Sequence, residues 1–123
     1  MEVQSAEKIK LLTLPLMEKG FVFEYSYQKG GDSSCVYICR YKKDKNFFDW
    51  REVSGGEEIN LVTCVDGVYG FPSVKALYPK QYRAFKRKHL FKRASIDERR
   101  AFIASILLLE LNSGKDNFFG IPL

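Results

Sequence analysis

The sequence predicts a single α+β domain over residues 1–123: an N-terminal helix, a four- to five-stranded antiparallel meander, and two C-terminal helices packed on one sheet face. Three observations carry this. Apolar residues recur at helical spacing early in the chain, switch to a period of two from Phe21, and return to helical spacing after Pro72. The two-residue period runs through five short segments separated by polar or glycine-rich turns, which describes strands joined as hairpins. With 123 residues, 46% of them hydrophobic, the chain can bury one core.

Each element has its own signal. Residues 5–19 place Ile9, Leu12, Leu16 and Met17 on one helical stripe, widened by Leu11 and Leu14, with Gly20 as the stop. Pro15 leaves two arrangements open: a kink near residue 11, or a second short helix begun at Thr13 with Pro15 in its first turn. Phe21, Phe23, Tyr25 and Tyr27 then alternate with Val22, Glu24, Ser26 and Gln28, giving a strand with one aromatic face. A turn at 30–32 leads into a strand over 35–42, a polar turn at 43–46 into 47–53, and a turn at 54–56 into 58–65. Asp66-Gly67 is a two-residue hairpin signal before 68–71, and Pro72 ends the sheet. Residues 73–93 and 95–113 read as helices. The second opens on a capping box, Ser95-Ile96-Asp97-Glu98, and stops at Asn112-Ser113-Gly114. Its middle, 101–111, is apolar nearly all round, which marks a buried central helix. The apolar tail 116–123 is expected to pack back onto the body.

The supports of catalysis are missing. No Gly-x-Ser-x-Gly, Gly-x4-Gly-Lys-Ser/Thr or Gly-x-Gly-x2-Gly occurs, and no Glu-x-Lys triplet of a metal-dependent nuclease core. The Lys29-Gly30-Gly31-Asp32-Ser33-Ser34 stretch leads into a strand, so it lacks the helix N-terminus of a phosphate loop and reads as a hairpin turn. His89 is the only histidine, which removes any mechanism or metal pair needing two. The odd cysteine count (Cys35, Cys39, Cys64) argues for thiols without disulfides in a reducing compartment. On a strand, Cys35 and Cys39 stand about 13 Å apart, too far to share a metal without a bend. The expectation is a non-enzyme with no catalytic residues, no metal and no cofactor. A site built from His89, Asp49 and a tyrosine is the enzymatic counter-reading.

Charge singles out one segment. The net charge is +5, but residues 75–100 alone carry ten bases against two acids, for +8. On a helix over 79–91, about 100° per residue puts Tyr82, Phe85 and His89 on one side and Lys80, Arg83 and Arg87 on the other. The aromatic stripe is expected to dock on the sheet, leaving a cationic stripe in water. With Lys86, Lys88, Lys92 and Arg93 it makes a candidate binding surface for phosphates or an acidic partner. The opposing reading is a solvated face, with bases near a helix C-terminus favoured by the dipole. Phe91 is either an exposed stacking residue or, as the sequence favours, turned into the core. A second candidate is the open sheet face, where Asp49 and Arg51 point away from Phe48, Trp50 and Glu52 and are joined by Arg40 and Lys42. It reads as a docking surface or as ordinary cross-strand ion pairing.

An N-terminal helix closing on Glu18-Lys19-Gly20-Phe21, a short antiparallel meander and C-terminal helices together resemble small bacterial proteins of unknown function. The layout also resembles immunity proteins that neutralise contact-dependent or polymorphic toxins. The resemblance rests on element order and implies a protein partner, a cognate toxin domain whose active site or substrate entry is blocked. The basic balance departs from acidic inhibitors that mimic a phosphate chain. Nucleic acid bound by the basic helix 79–93 is the alternative partner. The opening Met-Glu-Val-Gln-Ser has no basic region before an apolar core, and no stretch reaches the roughly 18 apolar residues of a membrane span. A cytoplasmic chain without a membrane partner is therefore expected.

Overall fold

A computed structural model describes residues 3–29, 35–53 and 57–123. Helix α1 (Val3–Leu12) is followed at once by the short α2 (Leu14–Glu18), with Pro15 in the first turn of α2. The second of the two arrangements that Pro15 allows is the one adopted. The hydroxyl of Thr13 does not cap α2. It donates back to the Ile9 carbonyl (2.8 Å) and pairs with the Tyr41 hydroxyl (2.7 Å), so this joint is locked to the sheet. At the end of α2, Gly20 takes a left-handed φ of +96°, the Phe21 N–H reaches the Leu16 carbonyl, and the Gly20 N–H reaches that of Met17. This is a Schellman stop, and its hydrophobic contact is the buried pair Leu16 and Phe21.

Five antiparallel strands follow in chain order: β1 (Val22–Lys29), β2 (Cys35–Lys43), β3 (Asn46–Val53), β4 (Glu58–Val65) and β5 (Val68–Gly70). The expected turns at 30–32 and 54–56, and all but Lys29 of the stretch 29–34, lie outside the described residues. Asp66 (φ +52°) and Gly67 (φ +79°) make the tight turn between β4 and β5, as their sequence predicts. Register sorts the side chains: Tyr25, Cys39, Trp50 and Leu61 stand opposite one another on one face. Glu24, Arg40, Asp49 and Val62 do so on the other.

The core lies on the first of these faces, here the inner face. Trp50, Phe48, Tyr41, Cys39 and Leu61 meet Ile9 and Leu16 of the N-terminal helices and Ala104, Leu107 and Leu111 of α5 (Ile96–Leu111). The predicted capping box of α5 forms in both directions between Ser95 and Glu98. The tail makes a small hairpin, β6 (Asn117–Phe118) and β7 (Ile121–Pro122), whose Phe118 and Ile121 are fully buried. Phe118 packs edge-on against Phe21 and Phe48.

The helix expected over 73–93 is two helices and a loop. Helix α3 (Val74–Leu77) ends at Tyr78, α4 (Pro79–Lys88) begins on Pro79, and the chain leaves the helix at His89. The break follows from Pro79. A proline disfavours helical backbone in the residue before it, while its own fixed φ suits a first helical position. Docking also differs from expectation. The aromatic stripe of α4 meets α5, where Phe85 stacks on Phe102 with centroids 4.2 Å apart and planes within 8°. Because α5 is apolar nearly all round, it offers α4 a surface on which to bury its aromatic stripe.

Candidate functional site

The two candidate surfaces fare differently. On the outer sheet face Asp49 is fully buried beneath two arginines. Arg40 donates to it through Nε (2.8 Å) and a terminal nitrogen (2.9 Å). Arg51 donates through Nε (3.1 Å) and a terminal nitrogen (2.8 Å). The carboxylate therefore accepts four charge-assisted bonds, and its charge is spent within the sheet. The Arg40 guanidinium also lies over the Phe47 ring at 3.8 Å, and the hydrogen bond to Asp49 raises its pKa further above the ordinary arginine value. Lys42 makes a longer pair with Glu24 at 3.4 Å. This face is a row of internally satisfied pairs, Arg40–Asp49 and Lys42–Glu24 across strands and Arg51–Asp49 along β3, with Asp49 unavailable to a partner.

The α4 surface is the opposite case. Tyr82, Phe85 and His89 are half-buried, with the Phe85 ring also 4.6 Å from that of His89. His89 faces Glu98 (Nε2 to Oε2 3.6 Å), and the hydroxyl of Tyr78, just before α4, donates to Glu110 of α5 (2.6 Å). These contacts fix α4 antiparallel to α5 at both ends. Lys80, Arg83, Lys86, Arg87 and Lys88 all face solvent, as do Lys92 and Arg93 in the loop. None of the seven pairs with a carboxylate among the described residues. Lys86 does lie 5.6 Å above the Tyr82 ring. Between the two groups of cations sit Leu90, 68% exposed, and Phe91, 98% exposed. The expectation that Phe91 turns into the core is overturned. The helix ends where that expectation requires, but the loop that follows it carries the ring outward into solvent.

Not every base of the +8 segment belongs to this ridge. Arg100 turns inward and grips Glu52 with two bonds, from Nε (2.9 Å) and a terminal nitrogen (2.8 Å), while Glu52 also accepts from the Trp50 indole (3.0 Å). Arg99 bonds the Glu57 carbonyl. The Trp50–Glu52–Arg100 cluster was not foreseen; its only sequence signal is a glutamate on the apolar side of β3, which requires a cation from elsewhere. A second cluster forms on Glu110, which accepts from Tyr78, Lys115 and the Phe119 N–H. Burial pushes the Glu110 carboxyl up, but these donors outweigh it and hold the pKa below the ordinary glutamate value.

The enzymatic grouping does not assemble: both oxygens of Asp49 are taken by arginines, while His89 faces Phe85 and Glu98. The Cys39 thiol is pushed up to about 12, first by burial, which keeps it protonated and unreactive. Among the described residues no group of three or more His, Cys, Asp or Glu side chains is placed to hold a metal. No helix among them is long and apolar enough to cross a membrane. Compared with known proteins, the chain matches no family model, no curated protein and no solved structure.

Proposed function

We propose that this chain is a non-enzymatic nucleic-acid-binding protein whose contact surface is the outer stripe of α4 and the loop that follows it. One observation carries the reading: seven exposed cations lie within residues 80–93, and none meets a carboxylate among the described residues. Like charges three and four apart on a helix repel by about 0.2–0.5 kcal/mol a pair, a repulsion that a bound polyanion relieves. Phosphates release condensed counterions on meeting such a row, which gives affinity without base contacts. Binding of a fluorescein-labelled 20-base-pair duplex, followed by anisotropy, tests the proposal. The double variant Arg83→Glu/Arg87→Glu reverses two charges on exposed positions and is expected to abolish binding with the fold intact. Equal binding by the double variant removes the proposal.

The layout supports a second reading, an immunity-type inhibitor that binds and neutralises a toxin domain. For such an inhibitor, either the toxin presents an acidic face to this ridge or the sheet region 31–74, with seven acids against five bases, does the binding. Stoichiometric binding of a toxin domain encoded beside this chain, without nucleic-acid affinity, would favour it.

A further inference from the structure

We infer that the loop after α4 makes this surface selective for single-stranded nucleic acid, with Phe91 as the platform on which a base stacks. The inference rests on the nucleic-acid reading of the ridge and names the form of the ligand. Phe91 is 98% exposed, in the loop that joins α4 to α5. The loop base is held by His89, whose ring contacts Phe85 and whose Nε2 faces Glu98, and by the Leu90 N–H bond to the Arg87 carbonyl. Lys86, Arg87 and Lys88 precede the ring and Lys92 and Arg93 follow it. A phosphate chain drawn onto these cations would pass directly beside an unoccupied aromatic face.

A duplex and a single strand differ at this point. In a duplex each base is covered above and below by its neighbours, so a protruding ring reaches a base face only by wedging a step open, at a cost of a few kcal/mol. A single strand can turn a base out, and every base has a π-face, so stacking is tolerant of sequence. An anionic bilayer is the competing polyanion, since Leu90 and Phe91 among cations also suit shallow insertion. The ridge argues for the strand. Lys80 and Arg83 lie along α4 about 7–12 Å behind its last residue, at about 1.5 Å per residue. They extend the cationic track away from the tip in one line, which a linear polyanion can follow and a tip-inserted anchor leaves unused.

The test compares four labelled probes at one salt concentration: a 15-nucleotide oligothymidine, the matching oligouridine, a duplex with the same number of phosphates, and vesicles of phosphatidylcholine with phosphatidylserine. The wild-type chain is expected to bind one or both single strands at least fivefold more tightly than the duplex; the two oligonucleotides distinguish DNA from RNA. Phe91→Ala is expected to weaken single-strand binding about 5- to 150-fold and leave duplex binding within twofold. Phe91→Trp should restore it, with quenching of the exposed indole on binding. An unchanged thermal midpoint for Phe91→Ala establishes that the fold is intact. If Phe91→Ala binds single strand and duplex as wild type does, stacking is refuted while the ridge reading stands. If no nucleic acid binds, the ridge reading itself is refuted. Vesicle binding lost in Phe91→Ala, without single-strand binding, would make the loop a membrane anchor and overturn the inference.

Discussion

Replacing Arg100 with methionine isolates the one ion pair among the described residues with both side chains buried. Arg100 and Glu52 have side-chain exposures of 9% and 1%, and the fork between them is closed by two bonds of 2.8 and 2.9 Å. Removing the guanidinium leaves the Glu52 carboxylate sealed among apolar neighbours, with the Trp50 indole as its remaining donor. An orphaned buried charge of this kind costs about 3–5 kcal/mol. Against a domain stability of about 5–15 kcal/mol that is a large share. For a chain of this length, at about 3–5 °C per kcal/mol, the thermal midpoint should fall by about 10–20 °C. The companion variant Glu52→Leu/Arg100→Met replaces both partners with apolar side chains, and by the same logic should recover most of the loss. Circular dichroism melts with urea titrations on the two single variants and the double measure the coupling directly. A loss below about 1 kcal/mol for Arg100→Met would refute the argument, because it would mean that Glu52 reaches water or another cation.

The Glu110 cluster supplies a pH dependence. Its folded pKa lies below the ordinary glutamate value of 4.5, so its contribution is fully present above about pH 4.5 and lost as pH falls through the lower folded value. Glu110→Gln should flatten the acid limb of the stability profile below that pH, and an unchanged acid limb would contradict the assignment. Asp49→Ala leaves Arg40 and Arg51, each about one-third exposed, side by side without their shared carboxylate. It should cost about 2 kcal/mol in urea denaturation while leaving the affinity of the α4 ridge for duplex within twofold; a large loss of binding would return the sheet face to consideration.

What could be read from the sequence was whatever is decided locally. The five strands and the Asp66-Gly67 turn follow from side-chain alternation and from a dipeptide that tolerates positive φ, and the start of α5 follows from four consecutive residues. Contacts between distant segments left no such trace. Nothing near Arg100 announces that its partner is Glu52, 48 residues earlier, so its charge enters the +8 of residues 75–100 alongside the exposed bases. Amphipathicity correctly turned Tyr82, Phe85 and His89 inward, but a stripe does not name what it faces, and the neighbour proved to be α5. The break at Tyr78 was legible in Pro79 and was overridden by the periodicity on either side. For Phe91 the average tendency of large aromatics to bury themselves pointed the wrong way.

The salt dependence of duplex affinity bears most directly on the claim that α4 meets a phosphate chain. If the exposed row neutralises about three to five phosphates, a plot of log affinity against log salt should have a slope of about −3 to −4. The Arg83→Glu/Arg87→Glu variant should lose about two units of that slope if residual binding is measurable. A flat plot, or the same slope in wild type and variant, would contradict it.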